Sequence, residues 1–168
     1  MSRTMTVSDS IVVAADPGTL WKAIADPTQM PRWSPENTAA LDSEPRPLPV
    51  GASFRGKNTR RFLRWQTRCW VTASDPGRAF EFRVSRWGVI RPIVPVQIAR
   101  WRYDFEPVPG GTKVTETWVD GRTRWPDWTA RVFDWFATFG LTFAEFQRDN
   151  IATTLKALQA DYAKQPTS

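Results

Sequence analysis

The 168-residue chain contains no histidine and one cysteine, Cys69. Without histidine there is no Ser-His-Asp triad, no Cys-His pair and no His-ligated zinc. A single thiol excludes an internal disulfide and a thiolate metal cluster. No apolar run approaches the roughly 18 residues that a membrane-crossing helix needs. The segment Met1-Ser2-Arg3-Thr4-Met5-Thr6 lacks the hydrophobic core of a signal peptide and leads straight into strand-like sequence. Cytoplasmic localisation is therefore expected. There is no Walker-type loop and no Gly-x-Gly-x-x-Gly, and Gly110-Gly111 reads only as a hairpin turn. Neither a metal nor a cofactor is expected.

Basic and aromatic residues are abundant instead. Twenty-three lysines and arginines against seventeen acids give a net charge of +6. Arginines at 60, 61, 64, 68, 83, 86, 91, 100 and 102 alternate with apolar residues. That spread reads as a solvated outer sheet face rather than the compact patch of a specific nucleic-acid site. At this length one domain, residues 1–168, with a sizeable core is expected.

Asp16-Pro17 and Asp26-Pro27 each pair a capping carboxylate with a proline at the first helical position, where its missing N–H is not needed. Gln29 stands where the second half of a capping box would, and Pro31 and Pro35 stop the second helix. Residues 4–14 alternate as a strand, with Asp9 on the apolar phase. That implies a bulge, a solvent-facing end or a cavity-facing carboxylate, the last disfavoured because buried carboxylates need partners. Further strands are expected at 36–44, 50–58, 64–71, 80–85, 100–105 and 112–120, the last three with one face apolar and the other charged, as in an antiparallel sheet covered on one side.

The cover is residues 127–162, whose apolar residues recur at helical spacing. As one straight helix this stretch would run roughly 54 Å, longer than the roughly 40 Å breadth of a compact chain of this size. A kink or break is expected near Gly140, and the stripe slips phase after Phe146, where Gln147 and Asn150 intrude. Residues 87–96 are apolar but hold Pro92 and Pro95. They read as an edge strand or covering loop, or else as a lid or a patch for peripheral membrane contact.

Ten tryptophans and ten phenylalanines fill a core, but a curved sheet around one helix also leaves space that large rings line well. The sheet-side candidates for ligand contact are Phe54, Trp65, Phe82, Trp101, Tyr103 and Trp118, with Trp33 before the second strand. The helix-side candidates are Trp128, Trp135, Phe136, Phe139 and Phe143. Polar candidates are Asn58, Glu36, Arg83, Tyr103 and Glu116. In one register Glu116 lies inside with Val114 and Trp118. In the other it is a surface charge, which ordinary burial preferences favour.

The stretch Ile24-Ala25-Asp26-Pro27 through Met30-Pro31-Arg32-Trp33-Ser34-Pro35-Glu36 resembles the polyketide cyclase/dehydratase and lipid-transport family of the START/SRPBCC superfamily, most of all its actinobacterial members. Val50 to Asn58, Pro76 to Phe82, and Trp101 to Pro107 with Gly110 to Glu116 agree with it, so the resemblance covers nearly the whole chain. It implies an α+β helix-grip fold, a seven-stranded curved antiparallel sheet wrapped around a long C-terminal helix, with two short helices between strands 1 and 2 and a hydrophobic cavity inside. The region from Trp125 to Phe146 departs from the family pattern by being longer and more aromatic. The expected function is binding or transport of a hydrophobic small molecule, a lipid or polyketide-like metabolite. The alternatives are a cyclase or dehydratase using Tyr103, Glu116 or Arg83, and a module docking on membrane or a partner. Oligomeric state, monomer or dimer, stays open.

Overall fold

The computed structural model describes residues 3–123, 125–138 and 140–164, without the side chains of residues 96, 136 and 137. Seven strands form one antiparallel sheet: β1 (Thr6–Val13), β2 (Asn37–Leu41), β3 (Ser53–Arg60), β4 (Leu63–Asp75), β5 (Ala79–Gly88), β6 (Val94–Val108) and β7 (Gly111–Asp120). Their order across the sheet is β1-β7-β6-β5-β4-β3-β2. The chain thus meanders from β2 to β7 through hairpins, and β1 closes the far edge beside β7. Helix α1 (Pro17–Ile24) and a 3₁₀ helix (Pro27–Arg32) lie between β1 and β2.

The two caps form as the Asp-Pro pairs imply. The Asp16 carboxylate accepts from the Thr19 amide at 3.0 Å, and Asp26 accepts from the Thr28 amide at 3.0 Å. Gln29 does not complete a capping box; its side-chain amide instead reaches the Asp26 carboxylate at 3.5 Å. With Pro31 inside it, the second segment stays a 3₁₀ helix and ends at Arg32. Arg32 and Trp33 then both bond Asp161, the indole at 3.0 Å, which ties this turn to the C-terminal helix.

Residues 127–163 form two helices, α2 (Asp127–Thr138) and α3 (Phe143–Ala163). Gly140, with φ of 106°, sits between them in a conformation costly for any residue with a Cβ. Thr142 caps α3, and Glu145 reaches back to the Thr142 amide in a complete capping box. Only α3 is gripped by the sheet. Its inward face carries Ile151, Leu155 and Leu158, each at most 2% exposed, and each such side chain contributes about 1.5–3 kcal/mol by leaving water.

Two open readings of the strands are decided by the sheet, and for Asp9 the solvent-facing one holds. β1 pairs with β7 in unbroken register, so Asp9 sits in no bulge; it is exposed and bonds the Ser10 amide. Residues 87–96 form the hairpin joining β5 and β6, and its second arm, from Val94, is strand that pairs with β5 alone, so the edge-strand reading holds only for that arm. Pro95 is tolerated because β6 there extends past β7, whose pairing begins at Ala99, leaving only one neighbour to satisfy. At its turn a Cβ on Gly88 would meet the Arg91 carbonyl oxygen at 1.9 Å, so this tight return requires glycine.

Candidate functional site

Between the concave sheet face and α3 lies a cavity of about 430 Å³, within the roughly 300–1,000 Å³ range of small-molecule pockets. Phe54, Phe82, Val84, Ile98, Trp101 and Leu158 make up much of its wall. Strand alternation explains most of the lining, and a register shift between Val84 and Arg86 on β5 brings Trp87 rather than Arg86 to the cavity. Leu63, Arg64 and Val89 line the cavity and are themselves exposed, so it opens beside the β3–β4 and β5–β6 hairpins.

Two groups centred on carboxyls are among the polar interruptions of the apolar wall. The first is Glu116 on β7, directly opposite Tyr103 on β6. β7 buries Thr112, Val114, Glu116, Trp118 and Asp120 in strict alternation, which turns Glu116 inward, against the surface placement that burial preferences favour. The Tyr103 hydroxyl donates to Glu116 Oε1 at 2.7 Å. Glu116 Oε2 has no hydrogen-bond partner among the described residues. Burial pushes the Glu116 carboxyl up to about 8, only partly opposed by the Tyr103 hydrogen bond. The same burial, with the neighbouring carboxyl, raises the Tyr103 phenol well above its ordinary value. The pair is therefore a neutral acid and a neutral phenol near pH 7.

The second polar group lies toward the β2–β3 edge. Glu36 accepts from Arg60 Nε at 2.7 Å and from Asn150 on α3 at 2.9 Å, and Asn150 also donates to Gln147 at 3.2 Å. The Arg60 guanidinium lies 3.6 Å from the Phe146 ring centroid. Burial raises the Glu36 carboxyl, with Arg60 and Asn150 acting against that rise. Nearby, Asn37 donates to Asn58 at 3.3 Å and Asn58 to Thr67 at 3.4 Å, all three on the cavity wall. Cys69 also lines the wall, but burial lifts its thiol to about 12, so it acts as a small apolar residue.

The roof over the opening is built by a buried ion cluster. Arg122, just past β7, grips Asp120 with two bonds of 3.0 and 2.8 Å and donates to Asp134 of α2 at 2.6 Å. All three side chains are at most 3% exposed. Asp134 accepts in turn from the Phe143 amide at 3.2 Å, and the Arg122 guanidinium lies 4.7 Å from the Phe143 ring centroid. Phe143 stacks against both Trp118 and Phe133. The cluster thus pins α2 and the start of α3 to the end of β7, and Phe133 and Phe143 face the cavity below it.

Of the residues singled out in the sequence, Trp33, Phe54, Asn58, Trp65, Phe82, Trp101, Tyr103, Glu116 and Phe143 line the cavity together with Glu36. Trp118 lies behind the wall, fully buried against Phe143. Arg83 is exposed, because its neighbours Phe82 and Val84 take the inward positions. Trp128 and Trp135 point to solvent, 70% and 60% exposed, because α2 turns Ala130, Asp134 and Thr138 inward instead. Phe139 lies outside the described residues, as does the side chain of Phe136. Sequence reasoning missed Arg60, Asn150 and Gln147 as a linked polar group. The phase slip after Phe146 was their signal: polar residues sit where the helix faces the cavity. The Arg122 cluster left no such signal, since its arginine looks like the many surface ones.

No functionally curated protein matches the chain. Among solved structures it is similar to a polyketide-cyclase-like protein of Corynebacterium glutamicum, with 27% identity, a TM-score of 0.61, and 97% of this chain and 94% of that one covered. It is also similar to a protein of Mycobacterium smegmatis, with 18% identity, a TM-score of 0.66, and 98% and 93% covered. DynU16, from the dynemicin biosynthetic locus, aligns over 96% of this chain but 48% of its own, with 14% identity and a TM-score of 0.62. Residues 4–163 match the family described as polyketide cyclase/dehydrase and lipid transport, and the chain belongs to that family.

Proposed function

We propose that this protein binds a hydrophobic small molecule, a lipid or polyketide-like metabolite, inside the cavity, with Glu116 and Tyr103 orienting its one polar group. The observation that carries this reading is the unpaired Oε2 of a buried carboxyl facing an apolar space. Such an atom costs about 1–3 kcal/mol unless something pairs with it, and a bound ligand is a fitting partner. With Oε1 accepting from Tyr103, the acid's own proton belongs on Oε2 and is available to donate. The preferred ligand is then uncharged, largely apolar, and carries a carbonyl or ether oxygen at one end. Burying about 300 Å² of its apolar surface contributes on the order of 7 kcal/mol before association costs.

A second reading rests on the same pair. A neutral acid held in an apolar site can polarise a carbonyl by donating a hydrogen bond to its oxygen, which suits a cyclase or dehydratase. The family description and the biosynthetic locus of DynU16 favour a metabolite ligand, whether carried or transformed.

Titration of a panel of neutral ketones, lipids and matched hydrocarbons, followed by intrinsic fluorescence, tests both readings. The expected result is that ketones outbind hydrocarbons of equal size, and that Glu116→Leu with Tyr103→Phe, which removes both donors, erases this preference. Equal binding of both ligand classes by the native protein would refute the anchoring role. Chemical conversion of a bound ketone, lost in Glu116→Gln, would select the enzyme over the carrier.

A further inference from the structure

The large apolar side chains left in solvent are not scattered; most collect at the end of the sheet where the cavity opens. Antiparallel pairing brings the β3–β4 turn, the β5–β6 turn and the end of β7 to that end. Phe62 tips the first turn, Ile90 and Ile93 the second, and they are 76%, 81% and 70% exposed. Helix α2 follows β7 and presents Trp128, Val132 and Trp135, spaced four and three residues apart, as an outward stripe. Each of the three segments also sends a residue into the cavity wall: Leu63, Val89 and Phe133. The same short segments thus frame the opening and project apolar knobs away from it.

The charges around these knobs are predominantly basic. Residues 61–64, 86–94 and 128–135 expose Arg61, Arg64, Arg86, Arg91 and Arg131. Their one acid, Asp134, is buried against Arg122. Asp127, at the start of α2, faces Arg3 at 4.0 Å. Apolar knobs ringed by arginines match an interface that is anionic at its surface and apolar beneath it. A second copy of the chain would bring the same arginines face to face, so it is the poorer occupant.

We propose that the mouth end of the protein docks on an anionic lipid bilayer, with the Ile90 turn and the Trp128 stripe entering the acyl-chain boundary and the arginines meeting the headgroups. Docked this way, the cavity opens onto the bilayer, and an apolar ligand can pass between the two without crossing water. The inference concerns the outer surface and stands whatever the cavity binds.

The test is flotation of the full chain with extruded vesicles of phosphatidylcholine, with and without phosphatidylglycerol. The native protein is expected to partition at least about tenfold more strongly onto the anionic vesicles, given roughly fivefold per arginine at such a surface. Ile90→Asp with Trp128→Asp is expected to lose about tenfold or more. Arg86→Gln with Arg91→Gln is expected to lose roughly twenty-five-fold and to weaken the salt dependence, three of the five arginines remaining. Ile93→Asp with Val132→Asp is a second apolar pair, and unchanged thermal melts establish that all variants are folded. Failure of the native protein to float with either vesicle would overturn the proposal, as would equal flotation of folded native and apolar-to-Asp variants. A native dimer that Ile90→Asp with Trp128→Asp turns into a monomer, without vesicle binding, would assign the face to a second copy instead.

Discussion

Replacing Glu116 by glutamine keeps the shape of the side chain and the acceptor for the Tyr103 hydroxyl but removes the ionisable proton. The native carboxyl titrates near 8, against 4.5 for an ordinary glutamate. Between those values the folded protein holds a proton that the unfolded chain has released, so rising pH favours unfolding. This contribution to stability is fully present below about pH 4.5 and is lost as pH rises through about 8. At 1.36 kcal/mol for each pKa unit the full loss is roughly 5 kcal/mol, and water entering the cavity brings it to about 3–5 kcal/mol. Urea unfolding of both proteins from about pH 5 to about pH 9 reads it directly. The two should be of similar stability at the acid end, and the glutamine variant should be the more stable by about 3–5 kcal/mol at the alkaline end. Parallel stability curves for the two proteins would refute the buried neutral acid, and with it the proton offered to a ligand.

Three further outcomes follow from the same structure. Arg122→Ala leaves Asp134 buried without its cation and Asp120 with only Arg3, at 3.4 Å, and should cost about 3–5 kcal/mol in denaturant unfolding. Thr142→Ala removes the exposed capping box of α3 and should cost only about 1 kcal/mol by the same measurement. Cys69, 3% exposed and with its thiol raised to about 12, should resist iodoacetamide at neutral pH until urea unfolds the chain; rapid labelling of the native protein would contradict its burial.

The architecture was legible because its determinants are local. Asp-Pro caps start both early helical segments, alternation marks each strand, and Gly140 marks where the long helical stretch divides. The sheet half of the cavity was legible for the same reason, since an inward phase predicts an inward ring for Phe54, Phe82 and Trp101. Glu116 was not, because a single strand cannot reveal its register. The partner that makes burial tolerable, Tyr103, is supplied by the neighbouring strand. On α2, helical spacing is shared by two faces. Trp128 and Trp135 fit the periodicity of an inward stripe, but Asp134, drawn in by Arg122, fixes the opposite face toward the core. Long-range ion pairs of this kind leave no periodic trace in the sequence.

Native mass spectrometry of the protein as purified, followed by solvent extraction, bears most directly on ligand binding. It should be run beside Ala99→Trp, which places an indole in the cavity wall. The account predicts a retained apolar molecule, or uptake of one from a lipid and ketone panel, that the folded Ala99→Trp variant does not hold. A native protein that emerges empty and takes up nothing from the panel, or one whose ligand survives Ala99→Trp unchanged, would contradict it.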